Sequence, residues 1–271
     1  MIPKIIHQIW YQGEKNIPKK YQKYQKTLKN HNPEFTFLVH DDQSMQNYCD
    51  EVGLLLGTQD IRKTYDNLNL MHQKIDFGRI VIAYLFGGIT LDMDVISNHP
   101  IKNIINLDKA DGDLYLCPVE AGLFGKIMFA ITSKINITSF LKTKMVNNAT
   151  MICTKLSPTI KSILLDYVAH LKNKNNSVWE STGPGVFGFI SNKYRNKIIF
   201  INNFEKQNYN LKKTATQHLT RKSWIKNKNI RKLTNLLEII YSFNPYCIDI
   251  LSIYTVICFI SKFSKETSVP V

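Results

Sequence analysis

The chain has 271 residues, 44% of them hydrophobic, which is enough to bury a substantial core in one large domain or two small ones. Its formal net charge of +14 favours anionic partners, namely nucleic acid, anionic lipid or phosphorylated small molecules, without choosing among them. The five cysteines include no Cys-x-x-Cys pair, which argues against a zinc or redox centre and predicts reduced, mostly buried thiols.

The N-terminal segment, residues 1–10, contains an apolar stretch that is too short and too interrupted for a signal peptide or a membrane anchor. Together with the cysteine pattern, this predicts folding in the cytoplasm. Peripheral association with a membrane is the alternative.

The first part of the chain predicts alternating strands and helices. In chain order these are a strand over residues 3–10, a helix over 18–30, a strand over 35–39 and a short helix over 43–52. The first helix is indicated by Tyr21, Tyr24 and Leu28, which recur at helical spacing before a closing Pro33.

A long amphipathic helix is predicted over residues 70–86, and Gly87-Gly88 ends it as a C-cap. Residues 89–91 then form a short strand whose carboxyl end presents Asp92 and Asp94. This helix, glycine break, strand and acidic pair describe an α/β unit. Ligands of open α/β sheets lie outside the carboxyl ends of strands, so the two acids are well placed for binding.

The remainder predicts strands over residues 114–119, 127–132 and 197–202, a helix over 157–171 and a Gly/Pro-rich loop over 181–185. Residues 1–235 are interpreted as one catalytic domain. Residues 236–271 form an apolar tail, in which 250–260 is too short to span a bilayer comfortably. The tail is interpreted as a helical element that closes the core or contacts a membrane interface.

Asp92 and Asp94 both reach a divalent cation if they follow a strand, because hard metals take oxygen ligands and bridge phosphate oxygens. Asp-x-Asp alone is a weak signal. A second copy, Asp111-Gly112-Asp113, stands in a polar turn and is interpreted as a loop.

Asp76 and Arg79 strengthen the first copy because they lie one turn apart on the preceding helix. A carboxylate and a guanidinium on one face bind sugar hydroxyls and phosphate. An i,i+3 salt bridge on the surface is the alternative.

Three segments together resemble glycosyltransferase family 32. They are residues 2–10 (Ile-Pro-Lys-Ile-Ile-His-Gln-Ile-Trp), residues 76–95 from Asp-Phe-Gly-Arg to Gly-Gly-Ile-Thr-Leu-Asp-Met-Asp-Val, and residues 218–224 (His-Leu-Thr-Arg-Lys-Ser-Trp). That family contains initiating mannosyltransferases of the yeast outer chain and capsular-polysaccharide sugar transferases, and it is distantly similar to the clostridial glucosylating toxins. The resemblance implies a GT-A fold, with a Rossmann-like mixed sheet flanked by helices, and a retaining, Mn²⁺- or Mg²⁺-dependent transfer from a nucleotide-diphosphate sugar.

The resemblance also implies roles for individual residues. Donor-binding residues are Trp10, Asp76, Arg79, Asp92, Asn147, Asn148, Ser223 and Trp224; metal ligands are Asp92, Asp94 and His218; catalytic residues are Asp94, Arg79 and His218; and Gly183 and Pro184 line the acceptor side. Trp10 has the alternative of a core residue, and Asn147-Asn148 and Gly183-Pro184 have the alternative of ordinary turns.

The predicted function is therefore transfer of a hexose from a UDP- or GDP-sugar to a glycan, glycolipid or glycoprotein acceptor. A basic nucleic-acid-binding protein is one alternative, based on the Lys/Arg-rich residues 212–232, but these lack a recognisable reading module. A metal-dependent phosphodiester or nucleotidyl enzyme is the other, although its third acidic ligand is not evident. We expect a nucleotide sugar, and not nucleic acid, as the partner.

Overall fold

The structure is a computed structural model that describes residues 1–118, 146–172, 182–201, 204–207 and 216–218. These residues belong to one compact unit. The strand predicted over residues 127–132 and the apolar tail lie outside the described residues, and the domain boundary at residue 235 stays a prediction.

The described strands are β1 (Ile5–Ile9), β2 (Thr36–His40), β3 (Gly88–Thr90), β4 (Val95–Ser97), β5 (Leu114–Pro118), β6 (Val146–Cys153), β7 (Ile199–Phe200), β8 (Glu205–Gln207) and β9 (Thr216–His218). The described helices are α1 (Lys19–His31), α2 (Asp42–Leu56), α3 (Asp60–Asp66), α4 (Met71–Phe86), α5 (Pro158–Leu171) and α6 (Pro184–Asn192). Short 3₁₀ turns occupy Glu14–Asn16, Ile101–Asn103, Leu107–Lys109 and Arg195–Lys197.

The main sheet has the strand order β2-β1-β3-β6-β5-β7. Strand β1 is parallel to both β2 and β3, and Ile6 lies opposite Phe37 on one side and Ile89 on the other. Strand β6 runs antiparallel to both of its neighbours. A smaller sheet joins β4, β9 and β8. The predicted mixed sheet flanked by helices is confirmed.

The main sheet separates two hydrophobic clusters. Successive residues of a strand point to opposite faces, and in β5 Leu114 and Leu116 join the cluster made with α2 to α6. Tyr115 and Cys117 join the other cluster, which contains Leu28 of α1. The sheet is thus buried on both faces between helical layers, as expected where parallel strands predominate.

The helix ends follow local side-chain chemistry. Asp41 caps α2 by accepting a hydrogen bond from the Ser44 backbone N–H at 2.9 Å, and Gly57 ends it in a left-handed conformation. Ser157 caps α5 by accepting from the Ile160 N–H at 3.1 Å, with Pro158 in the first turn.

Two glycines make the turn from α4 into β3. Gly87 has φ 67° and Gly88 has φ 83°, in the region that side chains rarely adopt. A Cβ on Gly88 would lie 2.6 Å from the Ile5 carbonyl oxygen. The predicted glycine break is confirmed, and it allows β3 to pack directly beside β1.

Several elements differ from the sequence prediction. Helix α3 and strands β4 and β6 were not predicted, and α2 extends to Leu56 instead of ending at Val52. The loop predicted over residues 181–185 is wrong at its end, because Pro184 already begins α6. Proline at a first helical position needs no N–H partner, so the Gly-Pro-Gly sequence starts a helix here.

Three of the five cysteines, Cys49, Cys117 and Cys153, are described and are buried free thiols. Within the described ranges, none of the helices combines the length and the apolar character that crossing a bilayer requires.

Candidate functional site

The candidate site lies where the carboxyl ends of β1 and β3 meet the start of β6. Trp10 follows β1 directly, and Asp92 lies two residues beyond the end of β3. Thr90 pairs with Met151 in the antiparallel register, so Asn148, near the start of β6, lies at this same edge. The sheet therefore brings together residues that are far apart in sequence.

A buried polar network is the centre of the site. The Arg79 guanidinium donates to the Asp76 carboxylate at 2.7 Å and pairs with the Asp92 carboxylate at 2.6 Å. The Asn148 amide donates to Asp76 at 3.0 Å, and the Thr182 hydroxyl donates to the other Asp76 oxygen at 3.3 Å. Four segments of the chain thus fix one carboxylate and one guanidinium.

The Asp76–Arg79 pair is buried, with 7% and 9% of the two residues exposed, so the alternative of a surface salt bridge is wrong. Burial raises the pKa of Asp76 to about 6, with Arg79 opposing the shift, so the carboxyl is ionised at neutral pH. Burial acts to lower the pKa of Arg79, but the charges of Asp92, Asp76 and Asp94 raise it overall. The guanidinium is held as a cation by three carboxylates.

Trp10 is half-buried at the edge of the site and belongs to neither hydrophobic cluster, so its alternative as a core residue is wrong. Its indole N–H donates to the Asn16 carbonyl at 3.1 Å, and its ring centroid lies 5.2 Å from that of Tyr21. Burial and the charge of Asp94 raise the pKa of Tyr21. Helix α1 therefore contributes Tyr21 to the site, which the sequence analysis assigned only to a helix face.

Asn147 and Asn148 lie in strand β6, so the alternative of a turn is wrong. The Asn148 side chain is 2% exposed and also approaches the Thr182 carbonyl, at 3.4 Å. The side chain of Asn147 lies outside the described residues.

Gly183 and Pro184 lie beside the network through their neighbour Thr182. Gly183 is the N-cap residue of α6, and Pro184 is its first residue. Tyr167 of α5 donates its hydroxyl to the Thr182 carbonyl at 3.0 Å, which fixes the entrance to α6. Thr182 was missed by the sequence analysis because nothing local marks it as a partner of Asp76.

The backbone of His218 lies beside the acidic pair. In the small sheet, His218 of β9 is the register partner of Val95, the residue after Asp94. The His218 side chain, Ser223 and Trp224 lie outside the described residues, so their proposed roles stay predictions.

The second Asp-x-Asp copy has a structural environment. Asp113 accepts hydrogen bonds from the Ser157 hydroxyl at 2.7 Å and from the Thr159 N–H at 3.0 Å, at the start of α5. Asp111 accepts from the Tyr115 hydroxyl at 3.1 Å. The interpretation of this copy as a loop is confirmed.

His72 is a site residue that the sequence analysis missed. It precedes Asp76 by four residues and Arg79 by seven, so all three lie within about 60° on one face of α4. Burial and the charge of Arg79 lower the pKa of His72, and Asp92 opposes this. The spacing of His72, Asp76 and Arg79 at i, i+4 and i+7 was the sequence signal that could have identified His72.

We expect the His72→Ala variant to raise the KM for a nucleotide-sugar donor about 2- to 10-fold with little change in kcat, because loss of the imidazole at this edge would remove about one hydrogen bond to a bound donor. Steady-state kinetics with varied donor measure the effect. The matched control is His99→Ala, since His99 is exposed. An unchanged KM for His72→Ala would remove His72 from the donor site.

A divalent cation fits the acidic pair only with additional ligands. Within the described residues, no group of three or more His, Cys, Asp or Glu side chains is arranged to hold a metal. Asp92 and Asp94 offer hard oxygen ligands, but one Asp92 oxygen already pairs with Arg79. Diphosphate oxygens of a donor are the natural further ligands.

Residues 18–111 match the family model described as "Glycosyltransferase sugar-binding region containing DXD motif". This segment of the chain is similar to the sugar-binding region of that family. Asp92 and Asp94 both lie inside the matched segment of the domain, whereas the match ends at Asp111, so only the first Asp-x-Asp copy is complete within it. The prediction of a glycosyltransferase enzyme with a DXD region is confirmed.

Two curated relatives support the glycosyltransferase domain. An uncharacterized glycosyltransferase of Acanthamoeba polyphaga mimivirus is 27% identical over 203 residues, which cover 67% of this chain and 79% of the relative. The initiation-specific alpha-1,6-mannosyltransferase of Candida albicans is 34% identical over 108 residues, covering 38% of this chain but only 27% of that enzyme.

Among solved structures, the PaToxG glycosyltransferase matches with a TM-score of 0.52 and 18% identity, over 71% of this chain and 70% of that one. The WbbM bifunctional glycosyltransferase matches with a TM-score of 0.50 and 8% identity, over 81% of this chain and 45% of that one. The predicted GT-A fold of the glycosyltransferase domain is confirmed.

Proposed function

We propose that this glycosyltransferase domain transfers a hexose from a UDP- or GDP-sugar to a glycan, lipid or protein acceptor, with retention of anomeric configuration and with the help of Mn²⁺ or Mg²⁺. The observation that carries the proposal is the buried network in which Arg79 joins Asp76 to Asp92 at the carboxyl edge of the sheet. The cytoplasmic location predicted for the chain is part of the same proposal.

The charges of the site support metal assistance. Asp76, Asp92 and Asp94 carry three negative charges against the single positive charge of Arg79, whose terminal nitrogens contact Asp76 and Asp92. A diphosphate brought to this net negative site is repelled unless a cation accompanies it. A divalent ion held by Asp94 and Asp92, with His218 as the proposed further ligand, would neutralise the charge of the leaving diphosphate.

The rest of the network suits a sugar. Asp76 and Asn148 together offer acceptors and donors for hydroxyl groups, and their mutual hydrogen bond fixes their orientation before the donor arrives. Trp10 and Tyr21 offer aromatic surface for the nucleotide base. Ser223 and Trp224 are proposed to close over the phosphates, and Gly183 and Pro184 to line the acceptor side.

Retention is proposed to occur by front-face transfer, in which the leaving phosphate accepts the proton of the acceptor. Double displacement needs an available carboxylate nucleophile. Asp76 is a poor choice for that role, because it accepts hydrogen bonds from Arg79, Asn148 and Thr182. Its contacts favour holding the sugar in place.

The test is a thermal-shift panel of UDP- and GDP-sugars with and without Mn²⁺. A donor at 100 times its Kd stabilises the folded state by about 2.7 kcal/mol, so we expect a clear rise in Tm that requires the metal. The same panel on Asp92→Ala/Asp94→Ala should show no rise. If no sugar nucleotide raises the Tm of the wild type, and if the chain binds nucleic acid with an affinity that falls steeply with salt, the nucleic-acid alternative replaces this proposal.

A further inference from the structure

Helix α1 has an unusually basic outer face. The helix contains Lys19, Lys20, Lys23, Lys26 and Lys29 and no acidic residue. Lys19, Lys23 and Lys26 are exposed and lie within a sector of about 60° over about 10 Å of helix, which makes a single stripe. Within the part of the chain that the structure describes, none of the three forms an ion pair. We call these three residues the lysine stripe.

The lysine stripe is unfavourable for the helix that carries it. Lys19 stands in the first turn, where the helix dipole repels a positive charge, and the N-cap residue Pro18 supplies no side-chain hydrogen bond. Lys19 and Lys23 are i,i+4 neighbours, and Lys23 and Lys26 are i,i+3 neighbours, so like charges face each other along the stripe. A helix whose sequence departs in this way from the local rules of helix stability is typical of a functional surface.

We propose that the lysine stripe is a docking surface for an anionic phospholipid bilayer. The stripe is a straight row of three lysines, and it complements a plane of phosphate headgroups. Single-stranded nucleic acid is the less suitable polyanion, because its bases stack on aromatic side chains that lie among the charges. The aromatic residues of α1 lie elsewhere, since Tyr21 contacts Trp10 and Tyr24 contacts Tyr21.

Docking through the lysine stripe places the donor site beside the bilayer. The same helix presents Tyr21 to Trp10 on its other side, with ring centroids 5.2 Å apart. A bilayer bound along α1 would thus lie one helix away from the proposed base-binding residues. Under the proposed function, this arrangement selects a membrane-borne acceptor, and this last step alone rests on that function.

The experiment is a vesicle co-sedimentation assay with the full chain, without donor or metal. We expect binding to vesicles of phosphatidylcholine with 30% phosphatidylserine, about 100-fold weaker binding for the triple variant Lys19→Gln/Lys23→Gln/Lys26→Gln, and weaker binding of the wild type at high salt. The factor follows because each lysine near an anionic surface contributes about fivefold to binding.

The matched control removes three other exposed lysines, as Lys63→Gln/Lys155→Gln/Lys161→Gln. These lie on or beside α3 and α5, whose apolar residues pack in the other hydrophobic cluster. We expect the control to bind vesicles within about threefold of the wild type, because its net charge equals that of the stripe variant and only the position differs.

Equal loss in both triple variants would overturn the proposal, since binding would then follow net charge alone. Binding of single-stranded RNA, but not of vesicles, through the stripe would overturn it also. Both triple variants should keep the donor-dependent rise in Tm. The two proposals therefore fail separately, because vesicle binding is measured without donor and the thermal shift without lipid.

Discussion

Replacement of Asp94 by Asn is expected to reduce the rate of sugar transfer about 10²- to 10³-fold while leaving the fold intact. The change keeps the size of the side chain and removes the charge that a divalent ion and the developing diphosphate need. Asp94 is half-buried, and we expect Arg79 to keep its ion pairs with Asp76 and Asp92 in the variant. Initial rates of nucleotide release with saturating donor and Mn²⁺ measure the effect.

The chain supplies its own matched control in the second Asp-x-Asp copy. Asp111→Asn makes the same chemical change in the same sequence pattern, at a carboxylate that contacts Tyr115. We expect it to retain at least half of the wild-type rate. If Asp111→Asn lost as much activity as Asp94→Asn, the assignment of the DXD motif to Asp92 and Asp94 would be wrong.

The local part of the site was predictable from sequence. Helical spacing placed Asp76 and Arg79 on one face of α4, and Gly87-Gly88 marked the break before β3, because positive φ values favour glycine. Asp92 follows the end of β3, and that strand was predicted because it comes directly after the glycine break. Periodicity and turn chemistry act within a few residues, so these elements needed no knowledge of the rest of the chain.

The long-range part was not predictable. Strand β6 contains two asparagines, which are depleted in strands, and it forms because β3 and β5 pair with it on both sides. The three residues of β4 are a strand because β9 lies beside them. Thr182 reaches Asp76 from 106 residues away. Such contacts follow from tertiary pairing, which overrides local propensity.

Acid is expected to destabilise the folded protein through a buried histidine pair. His7 of β1 and His40 of β2 share a hydrogen bond of 2.9 Å between ring nitrogens, and their rings stack at 5.1 Å. Phe86 covers both rings, and Tyr48 lies 3.3 Å from the other His40 nitrogen. This leaves little room for water around a charged imidazole.

Burial lowers the pKa of His7 to about 3, with a further contribution from His40, and burial lowers the pKa of His40 to about 4. In the unfolded chain both titrate near 6.5. Above that pH, both histidines are neutral in the folded and in the unfolded state, so they do not lower the free energy of unfolding. As the pH falls below it, the unfolded state alone takes up protons, so each histidine lowers the free energy of unfolding by about 2 kcal/mol at pH 5.

Asp76 acts in the opposite direction. Its pKa of about 6 lies above the usual carboxyl value of 3.8, so the folded state gains the proton first as the pH falls. As the pH falls from 7 to 5, this raises the free energy of unfolding by about 1 kcal/mol. For these three groups together, the net loss over this interval is therefore about 3 kcal/mol, against the roughly 4 kcal/mol that the two histidines would remove alone.

The His40→Gln variant isolates the histidine contribution from that of Asp76. An amide keeps hydrogen bonds to His7 and Tyr48 but does not titrate, so the variant should lose about 2 kcal/mol less than the wild type between pH 7 and pH 5. Urea unfolding at pH 7, 6 and 5 measures how the free energy of unfolding changes with pH in both proteins. The exposed His99→Gln is the control, and it should keep the wild-type change. Equal losses in wild type and His40→Gln would mean that His40 already carries its proton in the folded state, and the stacked pair would then have to accommodate a buried charge beside Phe86.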